Sequence, residues 1–386
     1  MATISPQTMD AVLSFIKDLY PNEQPVALHA PRFLGKEREF LSQCIDSTFV
    51  SYVGQFVQRF EEQICGVTGV RHAVAMVNGT AALQMALLAC GVEQGDAVIT
   101  QSFTFVATAN AIAHCGAMPL FVDVDRSTLG MSPEHLETFL NRGTVRRPTG
   151  VFDRATGKRL AACVPMHTFG HPAEIDSLVA LCSRWGIPVV EDAAESLGSL
   201  YKGRHTGTFG VAAILSFNGN KIVTTGGGGM IITGDRSIAE RVRHLSTTAK
   251  MAHPWEFRHD AVGWNLRLPN LNAAVGCAQM ERLPQTLQNK RETAARYEAF
   301  FKSAGICFFR EGPERSANYW LNAVVLDDRE SRDDFLGRTN ASGVQTRPAW
   351  ARMTSLPMYA GGGRGSEENT RWLEDRIVNI PSSVRV

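Results

Sequence analysis

The chain has 386 residues, of which 44% are hydrophobic and 20% charged, and 39 Lys and Arg stand against 38 Asp and Glu. This composition is typical of an ordinary globular protein with one large and one smaller domain. A net charge of +1 disfavours a nucleic-acid-binding protein, and the densest basic run, residues 145–147, reads as a solvated loop.

Cysteine usage and apolar runs indicate the compartment. The eight cysteines are scattered and form no CxxC pair, which favours a reducing compartment over disulfides or zinc. The first residues lack the pattern of a signal peptide, and no run of about 18 apolar residues indicates a membrane span. We therefore expect a cytoplasmic protein that binds neither nucleic acid nor membrane.

Strands and helices alternate through the first two thirds of the chain. Apolar spacing predicts a helix over 56–69 and a buried strand at 72–77, after which Asn78, Gly79 and Thr80 look like the cap of a helix that ends near Gly91. Further strands and helices follow at 96–101, 105–116, 119–125, 161–167, 172–186 and 187–196. This alternation predicts an α/β unit over about residues 55–260, with a mostly parallel sheet and helices on both faces.

The character of the sequence changes toward the C-terminus. Residues 271–305 read as helical material broken by Pro284, and a strand at 319–328 and a helix at 332–343 follow. We expect an N-terminal segment and large α/β domain over 1–274 and a smaller α+β domain over 275–386.

Polar and aromatic residues follow several predicted strands. In open sheets of this kind, ligands bind outside the carboxyl ends of the strands. The residues at those ends are Gly79, Thr80, the 101–105 segment, His167, Asp192, Glu195 and the run from Ser216 to Lys221. Core packing alone would not require such groups at one edge of the sheet.

Lys221, followed by the glycines of 226–229, raises two alternatives. A phosphate-binding P-loop requires GxxxxGK followed by Ser or Thr, whereas here Asn220 precedes the lysine and Ile222 follows it. The other alternative is a lysine that bonds covalently to an aldehyde cofactor. That chemistry needs an acid for a ring nitrogen, an anion site for a phosphate and a flat stacking group, for which the candidates are Asp192, Gly79 with Thr80, and Phe105. This set indicates pyridoxal phosphate.

Six motifs in the same order carry a family resemblance. They are VNGTAAL (77–83), FTFVATANAI (103–112), PLFVDVD (119–125), VEDAAESLGS (190–199), SFNGNK with GGGGM (216–221 and 226–230) and GWNLRLPN (263–270). From about residue 25 to 359 the chain resembles the DegT/DnrJ/EryC1/StrS family of sugar-nucleotide aminotransferases. The resemblance implies a fold type I pyridoxal-phosphate enzyme.

The resemblance also implies roles for individual residues. Lys221 matches the lysine that holds the cofactor and moves a proton, and Asp192 matches the aspartate that pairs with the pyridinium nitrogen and keeps it protonated. The phosphate-binding positions fall on Gly79, Thr80 and Ser216. Phe105 falls where a ring stacks on the cofactor.

Three further positions follow from the same resemblance. Glu195 lies where relatives often have Gln, near the hydroxyl of the cofactor ring, and Gly227 lies where many have Glu. Asn265 matches an asparagine that reaches the phosphate in the neighbouring subunit, which implies a homodimer with shared sites.

A narrower similarity is to the LegC subgroup, associated with bacillosamine and legionaminic acid pathways. It rests on the motifs above together with DSTFVSYVGQF (46–56) and TRPAW (346–350). It implies amino transfer from L-glutamate to C4 of a UDP-4-keto-6-deoxy-N-acetylhexosamine. His167, Tyr52 and Arg347 are candidates for contact with this nucleotide-sugar substrate.

Alternatives remain at this stage. The substrate could be a TDP- or GDP-linked keto sugar aminated at C3 or C4, and a non-catalytic regulator that binds the cofactor is a further reading. Lys221 argues against relatives that carry histidine there and dehydrate sugars, and the absence of clustered cysteines argues against an iron–sulfur dehydratase. Asp123 and Asp125 close a predicted strand, and we expect no metal there.

Overall fold

The structure is a computed structural model, and it describes residues 4–386. The helices are α1 (Pro6–Leu19), α2 (Glu37–Ser47), α3 (Gln55–Thr68), α4 (Gly79–Ala89), α5 (Val106–His114), α6 (Pro133–Gly143), α7 (Ile175–Trp185), α8 (Arg236–Ser246), α9 (Asn270–Glu281), α10 (Leu283–Ser303), α11 (Arg329–Ala341) and α12 (Glu368–Glu374). The strands are β1 (His72–Met76), β2 (Ala97–Gln101), β3 (Met118–Val122), β4 (Thr144–Arg147), β5 (Gly150–Asp153), β6 (Leu160–Val164), β7 (Val190–Asp192), β8 (Leu200–Tyr201), β9 (Arg204–His205), β10 (Ala212–Ser216), β11 (Gly229–Thr233), β12 (Cys307–Phe308), β13 (Arg315–Ser316), β14 (Asn322–Val325), β15 (Arg347–Pro348) and β16 (Ile377–Ile380).

The centre of the molecule is a mostly parallel sheet. Within residues 4–386, seven strands follow one another in the order β1-β11-β10-β7-β6-β2-β3, and single bridges such as Met166 to Asp192 join its two halves. β11 runs antiparallel to both of its neighbours, while the other pairs are parallel. The predicted α/β fold is therefore confirmed.

Both faces of this sheet are covered by helices. Ala73 and Ala75 of β1 pack in a core with α3 and α9, whereas Val74 and Met76 pack in a second core with α4 and α8. Successive side chains of a strand point to opposite faces, so this split places one helical layer on each side. Strands buried on both faces are typically continuous apolar runs, and β6, with the sequence LAACV, is one.

A second, antiparallel sheet lies in the C-terminal part of the chain. Its strand order is β12-β14-β16-β15, and α10 and α11 pack against it. Pro284 stands in the first turn of α10, directly after α9 ends, as expected from the proline. The break therefore separates a helix on the large sheet from a helix on the small one.

The N-terminal helix joins this C-terminal unit. Met9, Val12 and Ile16 of α1 are fully buried in one core with Tyr297 and Phe301 of α10. The predicted division at residue 274 grouped α1 with the large domain, and it falls inside α9, which packs on the central sheet. That division stays a prediction, and the contacts of α1 differ from it.

The basic run at residues 145–147 is a strand and not the expected loop. β4 and β5 form an antiparallel hairpin, and the guanidinium of Arg146 lies 4.2 Å from the Trp185 ring centroid while that of Arg147 lies 4.6 Å from the Phe152 ring centroid. One aromatic partner, Trp185, comes from α7 and the other, Phe152, from the paired strand β5, so the basic run alone did not reveal the strand.

Candidate active site

A cavity of about 590 Å³ opens at the carboxyl ends of the central strands, between the large sheet and the C-terminal residues. Eight of the residues predicted from the sequence line it: Gly79, Thr80, Phe105, Asp192, Glu195, Ser216, Lys221 and Arg347. They come from five separate segments of the chain, which the fold brings to one edge of the sheet. This is the position where open α/β sheets bind ligands.

Lys221 follows β10 and points its amine into this cavity. Its Nζ donates a hydrogen bond to Oε1 of Glu195 at 3.2 Å and lies 3.7 Å from the centroid of the Trp320 ring. The side chain is 12% exposed. The amine is thus confined between a carboxyl group and an aromatic face, yet it remains accessible from the cavity.

Asp192 ends β7 and is almost fully buried. Oδ2 accepts a hydrogen bond from Oγ1 of Thr108 at 2.7 Å, and Oδ1 accepts one from the N–H of Ala194 at 3.1 Å. Burial raises the pKa of Asp192 above its usual range, while these two bonds and the charge of Lys221 act in the opposite direction. A cation placed in the cavity would relieve this burial cost.

Glu195 is buried beside Lys221. Its Oε2 accepts a hydrogen bond from the N–H of Phe169 at 2.8 Å. Burial raises the pKa of Glu195 to about 7, although the charge of Lys221 and the Phe169 N–H lower it. A carboxyl group with this pKa is partly protonated near neutral pH. It would therefore repel an ionised hydroxyl of the cofactor ring less than a full carboxylate would.

The N-terminus of α4 forms one end of the cavity. The helix begins at Gly79, and the side chain of Asn78 caps it by accepting from the N–H of Ala81 at 2.8 Å. A Cβ on Gly79 would lie 3.0 Å from that of Ser216, and one on Gly229 would lie 2.4 Å from the Asn78 carbonyl oxygen. Glycine therefore allows these backbones to approach the helix end, where an anion is stabilised by the free N–H groups.

Phe105 offers a flat apolar surface to the cavity. It precedes α5, and 49% of the residue is exposed although it lies among buried neighbours. The Trp350 ring lies 6.1 Å from it. An exposed ring at this place fits a planar ligand stacked upon it.

Three predicted residues do not line this chain's cavity. His167 is fully buried, with Ala173 donating to Nδ1 at 3.2 Å, so Nε2 donates to Glu191 at 2.9 Å. Tyr52 is 41% exposed and Asn265 is exposed, and both lie outside the cavity. The prediction that His167 contacts a substrate is therefore not supported, because both ring nitrogens are hydrogen-bonded within the core, behind the edge of the sheet.

The sequence analysis missed several residues of the cavity. Thr108 lies one turn into α5 and bonds Asp192, and Trp320, Trp350 and Asn379 line the cavity from the C-terminal part of the chain. Thr108 could have been identified from the sequence, because it places a hydroxyl in the first turn of the helix that follows the strand end at 101–105. The C-terminal residues carry no such local signal.

The donor set fits a phosphorylated pyridine aldehyde. A reactive amine, a buried carboxylate, a helix N-terminus and an exposed aromatic ring surround one cavity of suitable size. A model of the DegT/DnrJ/EryC1/StrS aminotransferase family matches residues 34–386. The chain belongs to this family.

Individual relatives agree with that assignment. The aminotransferase is 37% identical to EpsN of Bacillus subtilis (strain 168), named as a pyridoxal phosphate-dependent aminotransferase, over 89% of this chain and 86% of that protein. It is 34% identical to GDP-perosamine synthase of Escherichia coli O157:H7, over 92% of this chain and 93% of that protein. The chain is thus a pyridoxal-phosphate-dependent sugar aminotransferase, and the predicted family, enzyme class and cofactor are confirmed.

A solved structure has the same fold. The aminotransferase TlmJ from Streptoalloteichus hindustanus superposes with a TM-score of 0.83 at 28% identity, over 92% of this chain and 93% of that one. The likeness extends across both the large sheet and the C-terminal unit. The expected fold type I architecture is confirmed.

Two other features bear on function. Among residues 4–386 no helix is long and apolar enough to span a membrane, and no group of three or more His, Cys, Asp or Glu side chains is placed to hold a metal ion. Asp123 accepts hydrogen bonds from the N–H groups of Val124, Asn369 and Thr370 and from the Thr370 hydroxyl. Its carboxylate therefore anchors the start of α12.

Proposed function

We propose that this aminotransferase moves the amino group of L-glutamate to the C4 ketone of a nucleotide-linked 4-keto-6-deoxy sugar. The observation that carries the proposal is the meeting of the Lys221 amine and the Asp192 carboxylate in one cavity with the N-terminus of α4. Pyridoxal phosphate supplies an electron sink that makes a proton on the adjacent carbon removable. The chain must supply binding, orientation and proton movement.

Lys221 is the proposed attachment point and general acid/base. A free amine can accept a proton from the donor carbon and return it to the acceptor carbon, and its confinement by Glu195 and Trp320 limits where Nζ can lie. Asp192 is the proposed partner of the pyridinium nitrogen. The Thr108 hydroxyl and the Ala194 N–H orient its two oxygens, so the carboxylate is held in place before the cofactor binds.

The phosphate is proposed to lie at the α4 N-terminus, bound by Gly79, Thr80 and Ser216. Phe105 is proposed to stack on the ring. Gly79, Thr80, Phe105 and Ser216 all come from the large α/β unit, whereas the remaining wall is formed by Trp320, Arg347 and Trp350. That wall is therefore left for the sugar and its nucleotide, with Arg347 as the candidate for a phosphate of the nucleotide because a guanidinium forms paired bonds with phosphate oxygens.

Two nucleotides are candidates. The motif similarity to the LegC subgroup favours UDP-4-keto-6-deoxy-N-acetylglucosamine. The likeness to GDP-perosamine synthase, whose named product is a GDP-linked sugar, favours the GDP-linked substrate as a second candidate. We propose the UDP sugar first, since that similarity extends over the segments at 46–56 and 346–350.

A two-step titration tests this function. The visible absorption band of the lysine-linked cofactor should disappear when L-glutamate donates its amino group and return when a suitable keto sugar accepts it. UDP- and GDP-linked 4-keto-6-deoxy sugars should be added in parallel. Return with the UDP sugar alone supports the first candidate, and return with the GDP sugar alone replaces it with the second.

Lys221→Arg is the matched control for this titration. Arginine keeps the charge but cannot bond to the aldehyde, so the variant should show no lysine-linked band and borohydride should fix no cofactor to the chain. A wild-type protein without that band would refute the role of Lys221. A band that glutamate bleaches but neither sugar restores would refute both substrates and leave the amino-transfer chemistry intact.

We further propose a homodimer in which Asn265 reaches the partner's site. Its side chain is exposed and lies outside its own cavity, next to a segment in which Trp255, Phe257 and Val262 are 77%, 79% and 83% exposed. Such a patch favours burial against a second copy. The partner's Asn265 would then complete the phosphate site.

Mixed dimers test the shared site. Asn265→Ala and Lys221→Ala chains should each be inactive alone, while a mixture should recover activity at about a quarter of the sites because half of the dimers are hybrids with one complete site. Sedimentation of each variant controls for loss of the dimer. If hybrids form but regain no activity, Asn265 acts within its own chain or not at all.

A further inference from the structure

Trp320 is held by hydrogen bonds at its backbone N–H, its backbone carbonyl and its indole N–H. Its backbone N–H donates to Oδ1 of Asn318 at 2.8 Å, and its carbonyl accepts from Nζ of Lys290 at 2.8 Å. Its indole N–H donates to the carbonyl of Asn220 at 2.7 Å. The residue is 4% exposed. Every polar atom of Trp320 is therefore bonded, and its ring cannot turn without breaking one of these contacts.

The partners of Trp320 lead to the lysine and its carboxyl neighbour. Asn220 immediately precedes Lys221, so the indole bond holds the backbone at the lysine. Asn318 donates through Nδ2 to the carbonyl of Glu195 at 2.9 Å. The ring face that results from this arrangement lies 3.7 Å from Nζ of Lys221. Trp320 thus contacts the amine and holds the backbone just before the lysine, while its neighbour Asn318 holds the backbone of Glu195.

Lys290 is part of this support. It lies on α10, is 1% exposed, and donates to the carbonyls of Trp320 and Ser382. Burial lowers the pKa of Lys290 well below its usual range. A buried lysine without a carboxylate is costly, so its retention is best explained by the two carbonyl oxygens that it holds together.

We propose that Trp320 is a positioning residue that holds the Lys221 ammonium group against its indole face whenever the lysine is not bonded to the cofactor. The inference rests on the proposed role of Lys221. Pyridoxal phosphate bound at this site would hold the lysine as an imine and release it as an ammonium group when a donor amine takes its place, the donor giving up the two protons that the lysine nitrogen gains. That ammonium group has to pass one proton to Glu195, whose Oε1 lies 3.2 Å from Nζ, before it can act as a base, and until then it needs a defined place near the carbon whose proton it moves.

An indole face suits that task better than a carboxylate alone. The face attracts a cation through its quadrupole, and this attraction strengthens when the pair is shielded from water. Glu195 lies on the same amine, but burial raises its pKa to about 7, so its charge changes near neutral pH. The indole carries the same negative potential at every pH and accepts no proton, so it holds the ammonium without competing for the proton to be transferred.

The test compares the lysine-linked and lysine-free forms at equilibrium. The holoenzyme is titrated with mixtures of L-glutamate and 2-oxoglutarate, and the visible band gives the ratio at which half of the lysine is released. Trp320→Met removes the ring and should raise the required glutamate ratio roughly 3- to 30-fold, since the released ammonium loses its cation–π partner. Trp320→Phe also loses the indole bond to Asn220 but keeps a ring face, so its shift should be clearly smaller.

A third variant keeps the fold intact. Incorporation of 5,7-difluorotryptophan at position 320 preserves the size and the N–H while weakening the negative potential of the ring face. For this variant, the ratio of glutamate to 2-oxoglutarate at which half of the lysine is released should also rise, as it does for Trp320→Met. If Trp320→Met does not fold, the difluoro and Phe forms decide the matter. Ratios within about twofold of wild type in all folded forms would overturn the proposal.

A cofactor-free measurement gives an independent readout. Thermal unfolding of the apoprotein is recorded for Lys221→Met, Trp320→Met and the double variant, which form a double-mutant cycle. Non-additive shifts in the unfolding midpoint are expected because each single variant leaves the other group without its partner. Additive shifts would contradict the contact. Failure of the proposed function would look different, since wild type itself would then show no lysine-linked band.

Discussion

The two walls of the cavity are built in different ways. On the sheet side, Asp192 ends β7 and Glu195 comes shortly after it, and Lys221 follows β10, the next strand in the sheet. Their places therefore depend on short segments with local hydrogen bonds. On the C-terminal side, Trp320 and Arg347 come from separate segments, and Trp320 is held by the distant residues Lys290 and Asn220. The first wall is suited to the chemistry, which needs fixed geometry. The second wall combines Trp320, which contacts the lysine, with Arg347, which is the proposed substrate contact.

The largest expected effect distinguishes two buried aspartates. Asp192→Asn should lower kcat/KM by about 10³-fold, because a preorganised charge partner is lost from the cavity. Asp123→Asn should leave kcat/KM within a few-fold, since Asp123 bonds backbone N–H groups at the start of α12. It should instead lower the unfolding midpoint, as an anchoring acceptor is weakened. Similar losses of activity in both variants would show that a buried aspartate outside the cavity matters to the reaction as much as Asp192 does.

The next effect is on the pH dependence of stability. Burial raises the pKa of Glu195 to about 7 from an ordinary value of 4.5. In the cofactor-free protein, protonation of Glu195 adds to the free energy of unfolding. This added stability is fully present below about pH 4.5 and is lost as the pH rises through about 7, because the unfolded chain releases the proton at a lower pH than the folded chain does. The loss amounts to up to about 3 kcal/mol.

Glu195→Gln is the variant that isolates this contribution. Glutamine has nearly the same shape and does not titrate, so denaturant unfolding should give a stability difference between wild type and variant that changes only between about pH 4.5 and 7. Glu298→Gln, at an ion pair that is 44% exposed at Glu298, is the control. A constant difference across that range would mean that Glu195 remains charged in the folded protein.

A smaller effect is expected on the second wall. Arg347→Ala should raise KM for the nucleotide sugar about tenfold with a smaller change in kcat, because a contact to a part of the substrate remote from the reacting carbon is lost. The KM for L-glutamate should change little. Arg310→Ala, at an arginine that is 71% exposed and pairs with Glu298, should change neither constant. An equal fall in kcat and kcat/KM would instead place Arg347 at the reacting centre.

The smallest effect concerns the glycine run. A Cβ on Gly227 would meet only the Val77 carbonyl oxygen, at 4.0 Å, so Gly227→Ala should change the free energy of unfolding by less than about 0.5 kcal/mol. A Cβ on Gly229 would lie 2.4 Å from the Asn78 carbonyl oxygen, so Gly229→Ala should weaken both stability and cofactor binding. Equal effects of the two substitutions would show that the whole run, and not the close approach at Gly229, matters.

The sequence by itself determined the sheet and the location of its chemistry. Alternating apolar strands and helices predicted a mostly parallel sheet, and polar residues directly after strands predicted which edge would carry the cavity. Both inferences depend on local patterns. The apolar periodicity locates each strand, and the residues directly after a parallel strand lie at the edge of the sheet where ligands bind. The roles assigned to Lys221 and Asp192 stay predictions, whereas their meeting in one cavity is a feature of the structure.

The tertiary structure alone decided what surrounds the lysine. The approach of Trp320 to Lys221 spans about a hundred residues of sequence, and α1 packs against α10 across most of the chain. His167 shows the reverse case, since its strand-end position indicated a site residue but its ring bonds Glu191 in the core. Contacts of this kind depend on how distant segments pack and which polar groups burial forces to pair, and no local pattern encodes either property.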